Sequence, residues 1–344
     1  MIETEALNNF YQSKYPFELI ARWLEHPKIP FEMREFSFTL QNSVYIRYNS
    51  FGSAKAFRDK VQKLCPQKID IGALYNYNPQ QRKSISGDKF QPQERELVFD
   101  IDMTDYDDTR TCCQDKDICM KCWVFMKVAY LIIDAALKED FGFEQVLWVF
   151  SGRRGIHCWI TDPLAKSIEA NVRRAVCGYL DHAVTDKEHI HTKRSMDICM
   201  KYVPDLLRDQ KKLLNDEKLK KLGIVDREVQ ECLTQVDRWH LIIEKNLISE
   251  KTKRSLVFEW RYPRLDVNVT FGMNHLLKSP FCVHPSTGKV CVPIFDIEKF
   301  NLAEVPDVHG SVDKYTSMFD EWIEQWKRGD ESQDGSVVNK RLDW

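Results

Sequence analysis

The sequence predicts a mixed α/β fold of α+β type, in which a sheet-bearing core is interrupted by a helical insertion. Three observations carry this. Strand-period segments such as "EFSFTLQNSVYIRYNSF" and "ELVFDID" lie before residue 160, and strand character returns in "RLDVNVTFG" and "GKVCVPIFD". Between Gly178 and Gly223 there is no glycine and one proline, Pro204, while lysine, glutamate and leucine dominate. Strands on both sides of a charged helical block favour one interrupted core over two domains in tandem. The expected boundaries are 1–178 with 251–327 for the core, 179–250 for the insertion and 328–344 for a flexible, polar tail.

Taken in order, "YPFELIARWLEH" reads as helix, with Leu19, Ile20, Trp23 and Leu24 at helical spacing. Two strands follow around Gln41-Asn42-Ser43, with Tyr45 and Arg47 sharing one face of the second. "KIDIGALY" and a polar stretch lead to the strand at Leu97. "CWVFMKVAYLIIDAALKEDFG" reads as a helix stopping near Gly142, and "EQVLWVFSGRRGIHCWI" as strand, tight basic turn, strand.

The 344 residues, 43% hydrophobic and 30% charged, suit a globular protein with a substantial core. A net charge of −2 excludes a globally basic protein, so any nucleic-acid contact comes from a local patch. The opening "MIETEALNNFYQSKYPF" has no basic-then-apolar secretory pattern, and no apolar run reaches the length of a membrane span.

"ELVFDIDMTDYDD" raises the chemical question. The strand period puts Asp100 and Asp102 on one face, roughly 6 to 7 Å apart. Asp266 in "RLDVNV" is expected on a strand with the same apolar brackets, opposite Leu265, Val267 and Val269. Either these are unrelated residues on solvated faces, or three carboxylates converge to hold divalent cations. Two such ions activate an attacking oxygen and stabilise a leaving oxygen at phosphorus, and Mg²⁺ favours such oxygen-rich sites shared with substrate phosphates.

"SGRRGIHCW" favours the second reading. Ser151, Arg153 and Arg154 lie in a tight turn and His157 on the return strand; guanidinium groups bind phosphate oxygens in bidentate fashion. After Asp266, "NHLLKSPFCVHPSTG" adds Lys278 to neutralise a phosphate and His284 to hydrogen-bond one. A P-loop is absent, since "STGKV" has Val290 where a hydroxyl is needed.

Cys112, Cys113, Cys119 and Cys122 read Cys-Cys-x5-Cys-x2-Cys. Four thiolates close a tetrahedral structural Zn²⁺ site, although the adjacent Cys112 and Cys113 require a sharp backbone bend to share one ion. The site directly follows the acidic loop, which points to bracing rather than catalysis.

These segments, together with "REFSFTL", "YIRYNSF", "LKEDFGF" and "YPRLDVNV", resemble the catalytic small subunits of eukaryotic DNA primases, within the archaeo-eukaryotic primase superfamily, over roughly residues 34 to 295. The resemblance implies a primase-type core with a unit related to RNA-recognition modules (RRM-like). It implies a metal triad of Asp100, Asp102 and Asp266 holding two Mg²⁺ or Mn²⁺. It assigns Ser151, Arg153, Arg154, His157, Lys278 and His284 to the incoming triphosphate, with Arg47 and Asp70 near the nucleotide and Asp70 the candidate contact to the ribose hydroxyl. The four clustered cysteines match the family's zinc site. Also implied are a single-stranded DNA template, an RNA primer, NTPs, a large primase subunit, a DNA polymerase alpha-type complex, no membrane, and the nucleus.

The reading that follows is a DNA-dependent RNA polymerase making short RNA primers. Its rivals are a superfamily member that extends with deoxynucleotides in repair, and a non-catalytic nucleic-acid-binding subunit.

Overall fold

The structure is a computed structural model that describes residues 2–182 and 189–333. In chain order the first elements are α1 (Thr4–Ser13), α2 (Phe17–Trp23), β1 (Arg34–Thr39), β2 (Tyr45–Asn49), α3 (Ala54–Leu64), β3 (Lys68–Tyr75) and β4 (Pro92–Glu94). Then come β5 (Leu97–Asp102), α4 (Met120–Ala135), β6 (Val146–Phe150), β7 (Gly155–Ile160), α5 (Pro163–Ser167) and α6 (Ala170–His182). Helices α7 (Ile190–Asp209), α8 (Asp216–Lys221), α9 (Arg227–Glu231), α10 (Gln235–Glu244), α11 (Glu250–Arg261) and α12 (Val267–Phe271) precede β8 (Leu277–Lys278) and α13 (Asp313–Gln333).

Two compact units result. The first comprises Met1–Gln93, Leu276–Phe295 and the chain from Pro306 on; the second comprises Glu94–His275 with Asp296–Val305. This partition differs from the compositional one, because α7 to α10 fall in the same unit as the aspartate strand. Of the tail drawn at 328–344, residues 328–333 continue α13, and 334–344 lie outside the described residues.

In the first unit the sheet order is β2-β1-β3-β4, and β8 also pairs antiparallel with β3. The rings of Phe36, Phe51 and Phe57 pack against one another at a tilt where α3 covers β1. Helix α3 begins where the Ser53 hydroxyl accepts the Ala56 N–H at 3.2 Å, and it ends at Cys65 in the left-handed region.

The second unit is built on antiparallel β5-β7-β6. All residues of β6 and β7 are buried, and β5 exposes only its two aspartates in part. Helix α4 buries Trp123, Phe125, Met126, Ile132 and Ile133, packs against α7, and closes with one wide turn at Ala136–Asp140 before Gly142. Among the described residues no helix is long and apolar enough to cross a membrane.

Candidate active site

Antiparallel pairing of β5 and β7 sets Asp100 opposite His157 and Asp102 opposite Gly155. The Asp100 and Asp102 side chains are 30% and 39% exposed, so neither lies on a freely solvated face. His157, itself buried, brings Nε2 to 3.6 Å from the Asp100 carboxylate.

The turn joining β6 to β7 is fixed by its own groups. The Ser151 hydroxyl accepts the Gly155 N–H at 3.0 Å, and the Ser151 N–H donates to the Gly155 carbonyl at 2.9 Å. Gly152 takes φ +86°, and a Cβ on Gly155 would stand 2.4 Å from the Ile101 carbonyl oxygen. Only glycine lets the turn approach the aspartate strand this closely. Arg154 then donates from Nε to Asp102 at 2.7 Å, while Arg153 makes no ion pair or hydrogen bond among the described residues.

Asp266 does not lie on a strand. It caps the single-turn helix α12, where its carboxylate accepts the Asn268 N–H at 3.0 Å, and it is exposed, as is Val267. The alternation in "RLDVNV" mimics a strand, but side-chain capping by aspartate wins at this site. The turn nevertheless reaches β5, because the Asp266 N–H donates to the Asp100 carbonyl at 3.1 Å. Buried Arg95, just before β5, clamps the other end by donating to the carbonyls of Val269 and Gly272 at 2.8 and 2.7 Å.

Arg264 is a residue that sequence reasoning missed. Its guanidinium donates to the carbonyls of Asp105 and Glu259 and to the Asp108 carboxylate, and it lies over the Tyr106 ring. Its backbone N–H donates to the Tyr106 hydroxyl at 3.0 Å. It therefore ties the approach to Asp266 to the turn that follows Asp102. Its position two residues before Asp266 was the only signal available.

Burial pushes the Asp102 carboxyl up, but the Arg154 guanidinium and the Thr104 N–H and hydroxyl outweigh it and hold it below the usual range. Asp105 moves the other way. Burial raises it first, then the charges of Asp102 and Asp266, against Arg264 and Arg154. Asp102, Asp105 and Asp266 thus share one negative field. Their oxygens are hard donors of the type that Mg²⁺ or Mn²⁺ takes, although among the described residues only the four cysteines already stand as close together as the ligands of one ion.

Arg47, Asp70, Lys278 and His284 belong to the first unit. Arg47 forms a two-point ion pair with buried Glu35 at 2.8 and 3.0 Å. Asp70 is buried, accepts the Ser37 hydroxyl at 3.1 Å, pairs with Lys68 at 3.0 Å, and stands opposite Lys278 in the β3–β8 pairing. His284 lies in a turn where Nδ1 accepts the Ser286 N–H at 3.2 Å.

The sulfurs of Cys112, Cys113, Cys119 and Cys122 all lie within 4.8 Å of one another. Those of Cys119 and Cys112 are 3.7 Å apart, and those of Cys119 and Cys122 3.9 Å. A zinc tetrahedron with bonds of about 2.3 Å has sulfur edges of about 3.8 Å, so the donors fit. Gln210, at the end of α7, also holds this loop: its side-chain oxygen accepts the Thr111 and Cys112 N–H groups, and its amide donates to the Cys112 sulfur. No motif marked Gln210 in advance.

Residues 99–295 match the family described as DNA primase small subunit. The chain is 39% identical to the DNA primase small subunit of Schizosaccharomyces pombe over 90% of this chain and 77% of that one. It is 36% identical to the Drosophila melanogaster protein of that name over 88% of this chain and 80% of the other. With the Caenorhabditis elegans protein the values are 34%, 97% and 91%.

Proposed function

This chain belongs to the DNA primase small subunit family, and we propose that its chemistry is carried out at the β5 carboxylates. It is an enzyme of the primase class, an RNA polymerase that synthesises primers. The observation that carries the placement is the gathering of Asp100, Asp102 and the Asp266 turn beside the Ser151–Gly155 turn.

Asp100, Asp102 and Asp266 would hold two Mg²⁺ or Mn²⁺ ions, which would supply Lewis-acid activation of an attacking 3′-hydroxyl and neutralise a leaving pyrophosphate. The chain's own groups prepare that site. Arg154 and Thr104 keep Asp102 ionised, and buried His157 faces Asp100. Arg153, with no partner among the described residues, offers a guanidinium to the triphosphate, and Ser151 shapes the turn. Lys278 and His284, in the first unit, are further candidates for phosphate, and Arg47 and Asp70 for positions near the nucleotide, with Asp70 the candidate contact to the ribose hydroxyl. The four cysteines hold one structural Zn²⁺ that braces the loop after the aspartates.

The template is single-stranded DNA, the product an RNA primer, and the substrates NTPs. A large primase subunit and a DNA polymerase alpha-type complex are the partners, in the nucleus. The test supplies labelled ATP or dATP on an oligo-dT template with Mg²⁺ or Mn²⁺, with and without an oligo-A primer. Preferential ATP incorporation that vanishes in Asp100→Ala is the expected result. Preferential dATP incorporation instead indicates a repair-type polymerase. No incorporation even with the large subunit added indicates a binding module.

A further inference from the structure

Within the first unit, β2 and the turn around Pro79 enclose a cleft of about 560 Å³. Four cations line it, Arg47, Lys60, Arg82 and Lys83, and no carboxylate does. Arg47 is balanced by Glu35 beneath it. Lys60 and Lys83 are exposed and make no ion pair among the described residues, so positive charge dominates the opening. Such a concentration of one sign in a chain of net charge −2 is local and attracts polyanions.

The remaining wall explains what kind of polyanion. The side-chain amides are already used: Asn49 donates to the Phe36 and Ile46 carbonyls, and Gln80 donates to the Ser50 carbonyl at 2.8 Å. These donors are not left to read base edges, whereas cations contact phosphates without regard to sequence. Tyr48 also lines the cleft, with the Arg47 guanidinium 5.0 Å and the Arg82 guanidinium 5.9 Å from its ring centre. The ring also packs edge-on against Tyr75 and Phe90, which anchors it in the wall beneath the two guanidiniums.

Tyr48 also adopts φ +61° in the middle of a strand, at a bulge in the β1–β2 pairing. Its N–H is held there by Glu35 at 3.2 Å, the same carboxylate that grips Arg47. Such a conformation is strained for a bulky residue, and strain of this kind concentrates at ligand clamps.

We propose that this cleft binds a single strand of nucleic acid through its phosphates, independently of sequence. The proposal deepens the primase reading, on which it rests for the purpose of the strand, template or primer.

The test is fluorescence anisotropy of labelled 25-mers of dT and of U on the full chain, from 50 to 200 mM salt, comparing wild type with Lys60→Ala/Lys83→Ala and with Arg82→Ala. A control double variant removes two exposed lysines of the second unit, Lys220 and Lys251. Each phosphate contact to a single strand contributes a slope of about 0.7 and a factor of about five in affinity at 0.1 M salt. The cleft double variant is therefore expected to lose about 25-fold in affinity and about 1.4 in slope, while its melting temperature and the control variant stay near wild type. A larger loss on dT assigns the cleft to template, and a larger loss on U to primer. An unchanged slope, or an equal loss in the control variant, overturns the proposal. Wild-type ATP incorporation with the large subunit added is measured in parallel. Its absence beside a cleft-dependent slope overturns the primase reading alone, and its presence beside an unchanged slope overturns the cleft alone.

Discussion

The backbone N–H of Asp266 donates to the carbonyl oxygen of Asp100 at 3.1 Å, joining the two carboxylate-bearing segments by main chain rather than by side chain. The attachment survives replacement of the Asp266 carboxylate, and Asn preserves the cap on Asn268. Asp266→Asn is therefore expected to reduce nucleotide incorporation by about 100-fold or more, with a melting temperature close to wild type. Normal turnover in this variant removes Asp266 from the metal site.

Arg264 holds the turn after Asp102 to the segment before Asp266 without reaching the reacting groups. As a positioning residue it governs geometry, and misplacement of about 1 Å costs about 100-fold in rate. Arg264→Ala is expected to lower kcat at least about tenfold while changing the KM for ATP little. A fall in melting temperature with kcat intact assigns it a purely structural role.

Two glycines separate close approach from simple helix propensity. A Cβ at Gly155 collides with the Ile101 backbone, which has nowhere to move inside a paired strand, so Gly155→Ala is expected to destabilise by about 2 kcal/mol or more. Gly178 lies within α6 with nothing within 4 Å of an added Cβ, and Gly178→Ala is expected to stabilise by about 0.5–1 kcal/mol. Chemical denaturation of both variants checks the pair, and equal effects at the two sites contradict it.

The sulfur spacing in the cysteine cluster predicts about one zinc per chain by elemental analysis. Chelation and Cys119→Ser are each expected to lower the melting temperature, since binding energy at such a site is folding energy. Metal-free protein of full stability refutes the assignment.

His191 supplies a pH dependence. Burial drives its pKa down to about 4, with the Asp140 charge opposing and the Arg194 charge assisting, and its ring meets the Tyr262 hydroxyl at 3.0 Å. A depressed folded pKa means that the unfolded chain takes up the proton first. Its full contribution is therefore present above about pH 6.5 and is lost as pH falls toward about 4, up to about 3 kcal/mol. Melting temperatures from pH 7 to pH 5 are expected to fall less steeply in His191→Gln than in wild type. Parallel curves exclude the contribution.

Local pattern alone determined β5, the β6–turn–β7 hairpin and helix α4, because each is specified by neighbours in sequence: a two-residue period, a glycine-bounded turn, an apolar run closed at Gly142. The same pattern placed Asp100 and Asp102 on one face and grouped four cysteines within eleven positions. It misplaced Asp266, since strand alternation and a capped turn look alike over six residues until the rest of the chain supplies a partner for the backbone. Only the tertiary structure supplied that partner in Asp100, and the clamps in Arg95, Arg264 and Gln210. Their hydrogen bonds link segments far apart in the chain, and side chains that bond to distant backbone, Arg95 and Arg264 donating to carbonyls and Gln210 accepting N–H groups, leave no period in the sequence to read. The basic cleft around Tyr48 belongs to the same class. Its cations are scattered from Arg47 to Lys83, and folding of β2, α3 and the Pro79 turn is what brings them together.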